Sequence, residues 1–215
     1  MALPKKHIEN IRLRNQEVGN KRRRQNIKNI LDKSIDFPKG VVLKDIDQAF
    51  DEWVKKDVGE IYVQLFDATL ANKIGAQSPV CTMAPECGSA LAVEFNGDVY
   101  ACDHFVFPSY KLGNIHSKAL WQMASSEKQK RFGAAKKTSL PKKCRECEFL
   151  WACNGECPRN RFVKTNEKGR NLNYLCEGYK MFFQHTAPAF EFMKKELEAN
   201  RPPANIMTIW NSDFQ

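Results

Sequence analysis

Five of the eight cysteines lie close together in the sequence, as Cys144-Arg-Glu-Cys147, then Cys153-Asn-Gly-Glu-Cys157, and after eighteen further residues Cys176. The other cysteines of the chain lie upstream, at Cys81, Cys87 and Cys102. A thiol binds soft metals as thiolate, and a Cys-x2-Cys pair lets two sulfurs converge on one centre across a tight turn. Eight thiols are enough for two complete four-thiolate sites.

Composition indicates a protein with a core and without a membrane span. Of 215 residues 42% are hydrophobic and 11% aromatic, so a buried core is feasible. There is no run of about eighteen apolar residues, and no apolar stretch follows the N-terminal charges, so neither a membrane span nor secretion is expected. The predicted location is the cytoplasm, where thiols stay reduced. Eight thiols there favour metal over a disulfide framework.

The net charge of +9 is concentrated in a basic N-terminal segment, residues 1–40. This segment holds eleven Lys/Arg against four Asp/Glu, including Arg12, Arg14 and the run Lys21–Arg24. Clustered Lys/Arg could neutralise phosphate, which would make the segment a nucleic-acid arm. No aromatic residue interleaves the run to stack on bases, so a solvated extension is the favoured interpretation.

Residues 41–80 are predicted to form a helix–strand connector. Apolar positions on one helical face predict a helix at about 43–56, and they are Leu43, Ile46, Phe50, Trp53 and Val54. Residues 61–66 then predict a strand, because the run is rich in β-forming residues. This pair could be the end of an α/β unit or a small cap on the cysteine domain.

Asn96-Gly97 between two β-prone runs predicts a hairpin, since both positions of a two-residue turn need positive φ. Cys102 would then end a strand on a rigid scaffold. The predicted cross-strand pairs are Phe95 with Asp98, Val93 with Tyr100, and Leu91 with Cys102.

The predicted fold class is α+β, a loop-rich domain at 81–185 with flanking helices and a C-terminal helix and tail at 186–215. Ser117 is predicted to cap a helix that ends near Gly133. Aromatic residues after Cys176 predict a second helical stretch, interrupted at Pro188.

The complete cysteine pattern resembles the SPASM domain, the twin-cluster C-terminal domain of radical SAM maturases. It is most similar to that of anaerobic sulfatase-maturating enzymes, over about residues 43–207. The pattern is Cys81-x5-Cys87-x9-Gly97-x4-Cys102, followed by Cys144-x2-Cys147-x5-Cys153-x3-Cys157 and Cys176. The segments that carry the resemblance are Gln64–Asn72, Phe95–Tyr100, Cys102–Pro108, Tyr110–Asn114, Ala152–Pro158 and Asn173–Cys176.

The resemblance implies two auxiliary [4Fe–4S] clusters with crossed ligands. By position, the first set of ligands would be Cys81, Cys87, Cys102 and Cys157. The second set would be Cys144, Cys147, Cys153 and Cys176. Cys157 would thereby tie the hairpin half of the domain to the cysteine-rich half.

Asp103 matches the carboxylate that the family uses to take a proton from the target Cys or Ser. A carboxylate beside a cluster ligand can couple proton removal to electron removal. Without the resemblance, Asp103 would be interpreted as an ordinary loop carboxylate. His104 would play a supporting part at most.

One family feature is missing from these 215 residues. The family's barrel carries Cys-x3-Cys-x2-Cys, which binds the cluster that cleaves S-adenosylmethionine. Here the nearest spacing, Cys153-x3-Cys157, has Asn160 in the third position. We therefore expect the C-terminal part of a maturase, truncated or dependent on a separate radical SAM barrel chain, with a sulfatase peptide as a further partner and no activity alone.

Two other functions fit the residues. Four-thiolate sites built on Cys-x2-Cys pairs could hold structural zinc in an interaction module. The basic segment could add nucleic-acid binding, which the sequence favours least.

Overall fold

Helices dominate the part of the chain that the computed structural model describes, residues 41–213. The predicted basic segment, residues 1–40, lies outside it. None of the described helices is long and apolar enough to cross a membrane. In chain order the helices are α1 (Val41–Lys56), α2 (Gln64–Lys73), α3 (Leu120–Ala124), α4 (Glu127–Thr138), α5 (Lys142–Arg145), α6 (Leu150–Cys153), α7 (Cys176–Glu198) and α8 (Ile206–Asp213).

The strands are short and form two small antiparallel sheets. The first sheet has the order β1–β2–β3 and the second pairs β4 with β5. The strands are β1 (Ala92–Val93), β2 (Asp98–Tyr100), β3 (Lys111–Asn114), β4 (Arg161–Val163) and β5 (Leu172–Asn173). With loops and 3₁₀ turns between them, these elements confirm the predicted α+β, loop-rich fold class.

The core lies between α1, α2 and α7. Phe50 of α1 is fully buried, and its ring centroid lies 5.1 Å from that of Phe66 in α2 and 5.2 Å from that of Phe190 in α7. The predicted helix at 43–56 is confirmed, with its start at Val41. Its apolar stripe has the 3.6-residue period that lets one face pack against two other helices.

The predicted strand at 61–66 is wrong, because α2 begins at Gln64. Val63 is extended and precedes the helix, and its N–H donates to the Asp67 carboxylate at 2.8 Å. Leu, Ala and Lys after this point are strong helix formers. A helical backbone also buries Phe66 against Phe50, so packing overrides the local β propensity.

The hairpin is confirmed, but the predicted pairs and two-residue turn are wrong. Val93 faces Val99, not Tyr100. The Gly97 N–H donates to the Glu94 carbonyl at 2.8 Å, and Gly97 has a φ of +82°. This is the three-residue loop with a glycine in the left-handed region, which moves the register by one position.

The helix predicted from Ser117 to Gly133 is divided in two. Ser117 Oγ donates to the Asn114 carbonyl and does not cap a helix. Ser126 caps α4 instead, by accepting a hydrogen bond from the Gln129 N–H. The two-residue break at 125–126 separates α3 from α4.

The predicted interruption at Pro188 is also wrong, because α7 continues through it to Glu198. Pro188 lies on the exposed face of the helix. The buried neighbours Phe183 and Phe190 hold the helix on the core on either side. Packing therefore outweighs the loss of one backbone hydrogen bond at the proline. The helix passes through residue 186, where we predict the C-terminal segment to begin.

Candidate metal centres

Four cysteines line one small, largely apolar cavity where α5, α6 and α7 meet. They are the second predicted set, Cys144, Cys147, Cys153 and Cys176. Their neighbours in the wall include Phe149, Leu150, Tyr179 and Phe183. Burial raises the pKa of Cys144 to about 11, with smaller contributions from the thiolates of Cys176, Cys153 and Cys147.

The first predicted set is brought together around the loop before the hairpin. Burial raises the pKa of Cys157, and the thiolates of Cys87 and Cys81 raise it further. Burial likewise raises the pKa of Cys102 to about 12, and the thiolate of Cys157 is among the groups that add to this shift. The strongest thiolate–thiolate interactions thus fall within the same two sets of four.

The spacing of the sulfurs distinguishes two kinds of metal site. In a tetrahedral zinc site with Zn–S of about 2.3 Å, the sulfurs lie about 3.8 Å apart. Within the described residues, no three cysteine sulfurs lie within 4.8 Å of one another. This wider spacing is compatible with a larger centre, such as an iron–sulfur cluster held by four thiolates.

Raised thiol pKa values are consistent with such a centre. A buried thiol stays protonated until a cation compensates its charge, so metal binding and proton release are coupled. The residues therefore fit a four-thiolate cluster at each set.

Cys102 and Asp103 lie beyond the end of β2, at the start of a 3₁₀ turn. The Cys102 thiol donates to Asp103 Oδ1 at 3.1 Å, and this bond lowers the pKa of Asp103. The Asp103 side chain is 78% exposed. His104 Nδ1 lies 3.4 Å from Cys157 Sγ. A carboxylate, an imidazole and two thiols of the first set therefore lie close together, with Asp103 exposed to solvent and Cys157 buried.

The connection between the two sets, Cys153–Cys157, has an unusual backbone. Asn154, Gly155 and Glu156 have φ values of +46°, +70° and +53°. Left-handed residues normally occur singly, because each costs roughly 1–2 kcal/mol for a residue with a Cβ. Three in succession need outside support, and the guanidinium of Arg161 provides it by donating to all three carbonyl oxygens.

Replacing Gly155 by Ala is expected to destabilise the protein more than the same change at Gly169. Both glycines have a positive φ, but only a Cβ at Gly155 would meet Leu140 and, at 2.9 Å, Arg161 Nη2. Gly169→Ala should cost about 1–2 kcal/mol, and Gly155→Ala about 1–3 kcal/mol more from overpacking. Anaerobic urea unfolding measures both, and equal losses would contradict the close fit of the Cys153–Cys157 connection.

Two buried cations near the thiols were missed by sequence reasoning. Lys136 of α4 is fully buried and donates to the carbonyl oxygens of Cys81, Thr82 and Ala84. Arg161 is also buried. Lysine and arginine are usually solvated, so no local pattern distinguishes these two from surface charges.

The helical layer also anchors the cysteine loops. Asn72 Nδ2 in α2 donates to the carbonyl oxygens of Met83 and Ala152, both at 2.9 Å. Asn154 Nδ2 donates to the same Met83 oxygen at 2.7 Å. The loop of the first set and the helix of the second set are therefore fastened to one scaffold.

Comparison with known proteins shows which family and which enzymes this chain resembles. Residues 81–148 match the SPASM family, described as an iron–sulfur cluster-binding domain. A serine-type anaerobic sulfatase-maturating enzyme of Bacteroides thetaiotaomicron is 61% identical over 74% of this chain and 38% of that protein. A cysteine-type enzyme of Clostridium perfringens is 29% identical over 65% of this chain and 38% of that protein. The chain thus spans about two fifths of the length of these relatives.

Solved structures show the same likeness. The structure of anSMEcpe with bound AdoMet and Cp18Cys peptide has a TM-score of 0.62 and 28% identity, over 72% of this chain and 43% of that one. A second structure of anSMEcpe, with bound AdoMet, covers 77% of this chain at a TM-score of 0.62 and 27% identity. Residues 81–148 therefore resemble a SPASM iron–sulfur cluster-binding domain, and the chain resembles part of the anaerobic sulfatase-maturating enzymes.

Proposed function

We propose that this chain binds two auxiliary [4Fe–4S] clusters as the C-terminal part of an anaerobic sulfatase maturase. The observation that supports the proposal most is that Cys144, Cys147, Cys153 and Cys176 line one cavity, in a chain whose residues 81–148 match an iron–sulfur cluster-binding domain. Cys81, Cys87, Cys102 and Cys157 would hold one cluster. Cys144, Cys147, Cys153 and Cys176 would hold the other.

When bound, such clusters supply one-electron acceptors close to the reacting side chain. The protein's own part is to hold the sulfurs, exclude water from the second set and offer a proton acceptor. In the maturase reaction, a Cys or Ser of a sulfatase peptide is converted to formylglycine. The Asp103 carboxylate would accept the proton that leaves that thiol or hydroxyl.

Two partners follow from this function. One is a radical SAM barrel, supplied from outside these 215 residues, which would bind S-adenosylmethionine. The other is the sulfatase peptide, whose target side chain would approach the exposed surface around Asp103. In support of the second partner, the similar protein anSMEcpe has been solved with a peptide bound. A reducing cytoplasm, in which thiols stay available for metal, is the location we propose.

Anaerobic absorption spectroscopy of the purified chain tests the proposal against structural zinc. A protein with [4Fe–4S] clusters is brown and has a broad band near roughly 400 nm, which dithionite bleaches. A zinc protein is colourless, because Zn²⁺ has a filled d shell. A colourless chain with two equivalents of bound zinc after anaerobic expression with iron would contradict the proposed function.

A further inference from the structure

Arg161 binds the backbone connection between the two predicted cluster sites. Its five hydrogen bonds all go to uncharged oxygens. Nε donates to the Gly155 carbonyl at 2.8 Å, and Nη2 to those of Glu156 at 3.1 Å and Asn154 at 3.4 Å. Nη1 donates to the Lys136 carbonyl at 2.8 Å and to Ser139 Oγ at 3.2 Å.

The guanidinium of Arg161 binds the stretch of backbone that joins the two sets. The three carbonyls of the Cys153–Cys157 connection converge on it, and that connection leads from the second set to the first. Burial lowers the pKa of Arg161. The negative charges of three thiolates raise it, and they are Cys144 of the second set and Cys157 and Cys87 of the first. The hydrogen bonds of Arg161 place its charge on the connection between the two sets.

Lys136 differs from Arg161 in this respect. Burial lowers its pKa, and the thiolates that raise it, Cys87, Cys81 and Cys157, all belong to the first set. Its ammonium group caps the loop that begins at Cys81. Among the described residues, Lys136 thus binds the loop of the first set, and Arg161 binds the connection between the two sets.

Buried cations with only neutral hydrogen-bond partners are costly unless negative charge lies near them. The buried carboxylate of Glu156, which accepts hydrogen bonds from Asn160 and Asn173, supplies part of this negative charge and raises the pKa of Arg161. A [4Fe–4S]²⁺ cluster with four thiolates carries a net charge of about −2, and one more negative charge when reduced. Arginine stays protonated in proteins, so its charge is permanent.

We propose that Arg161 is a positioning residue common to both cluster sites, holding the Cys153–Cys157 connection in place and providing one buried positive charge that favours the reduced form of each cluster. This inference rests on the proposed function. It predicts that one side chain sets the reduction potentials of two clusters together.

Anaerobic redox titration with dithionite, followed by EPR, tests this on the cluster-loaded chain. The two signals are assigned with Cys153→Ala and Cys157→Ala. Arg161→Gln is expected to shift the reduction equilibrium of both clusters toward the oxidised form by about tenfold, which is about 59 mV for a one-electron couple. Arg161→Lys keeps the charge without the planar fork, so its potentials should remain within about twofold of wild type.

Two further variants separate charge from hydrogen bonding. Lys136→Met should shift the first cluster by about tenfold, or about 59 mV, and leave the second unchanged. Arg170 is the matched control, because it also donates to a backbone carbonyl, that of Leu140, but is 40% exposed. Arg170→Gln should change neither potential by more than about twofold, since solvent screens its charge.

The outcomes separate this inference from the proposed function. A wild-type chain without clusters would refute the function itself. A wild-type chain with both clusters would refute only the inference if Arg161→Gln shifts one cluster or neither, or if Arg161→Lys shifts both as far as Gln does. Loss of both clusters from the Gln and Lys variants alike would overturn it too, because hydrogen bonding alone would then explain Arg161.

Discussion

Asp103→Asn should lower formylglycine formation by about a hundredfold or more when the chain is completed by a radical SAM barrel. Asn is nearly isosteric with Asp but cannot accept the proton that leaves the target side chain, and this is the expected loss for a general base. The rate is measured on a sulfatase peptide, with the barrel supplied as a second chain or by fusion. Both clusters should remain.

The control variant for Asp103 is Glu127→Gln on α4. The two carboxylates are about equally exposed, at 78% and 77%, but Glu127 pairs with Lys130, whereas Asp103 accepts a hydrogen bond from a cysteine thiol. Because Asp103 adjoins Cys102, iron must be counted in the same samples. Full activity in Asp103→Asn would make this residue an ordinary loop carboxylate, and loss of activity together with iron would show that it holds the ligand loop.

Cys153→Ala and Cys157→Ala should each remove a different cluster, although the two positions are only four residues apart. Each variant should lose about half of the iron, because a four-thiolate site is incomplete without one ligand. Cys157→Ala should abolish the first cluster's EPR signal, and Cys153→Ala the second's. Cys147→Ala should behave like Cys153→Ala.

The ligand pairing would be wrong if Cys157→Ala removed only the signal that Cys147→Ala also removes. Asn160→Ala is a useful control in the same region. Asn160 donates to the Glu156 carboxylate at 2.9 Å and offers no sulfur. This variant should therefore keep close to the full amount of iron.

The parts of the fold that could be predicted are those set by short-range rules. The apolar stripe of α1 has a helical period, and Gly97 supplies the positive φ that the hairpin needs. The register of the two hairpin strands could not be predicted, because it depends on whether two or three residues form the turn. In this hairpin Gly97 takes the left-handed position, so Val93 pairs with Val99.

The errors at residues 61–66 and at Pro188 have one physical cause. Local propensity is worth at most about 1 kcal/mol for most residues and about 3 kcal/mol for a proline inside a helix. Burying one aromatic ring is worth about 1.5–3 kcal/mol, so Phe66 suffices at 61–66, and Phe183 and Phe190 together offset Pro188. The aromatic core of α1, α2 and α7 therefore decides the backbone at both places. That core is assembled from residues far apart in the chain, so no short window of sequence reveals it.

Some features of the candidate site could likewise be predicted from the sequence, and others could not. The cysteine spacing indicates metal chemistry directly, but the crossed sets came from the resemblance and not from spacing. The buried cation Lys136 could not be recognised, because its partners are carbonyl oxygens of a distant loop. Arg161 could not be recognised either, because it binds mainly backbone carbonyls, which every residue has. The one local hint was Gly155 within Cys153-Asn-Gly-Glu-Cys157, where a glycine permits the left-handed backbone that converges on Arg161.

The most direct test of the central claim is the amount of iron and acid-labile sulfide in the anaerobically reconstituted chain, measured with EPR after reduction. Two four-iron clusters predict about eight iron and eight sulfide per chain and two distinguishable signals. About four iron with a single signal would contradict the division of the eight thiols into two complete sets. Bound zinc without sulfide would contradict iron–sulfur chemistry altogether.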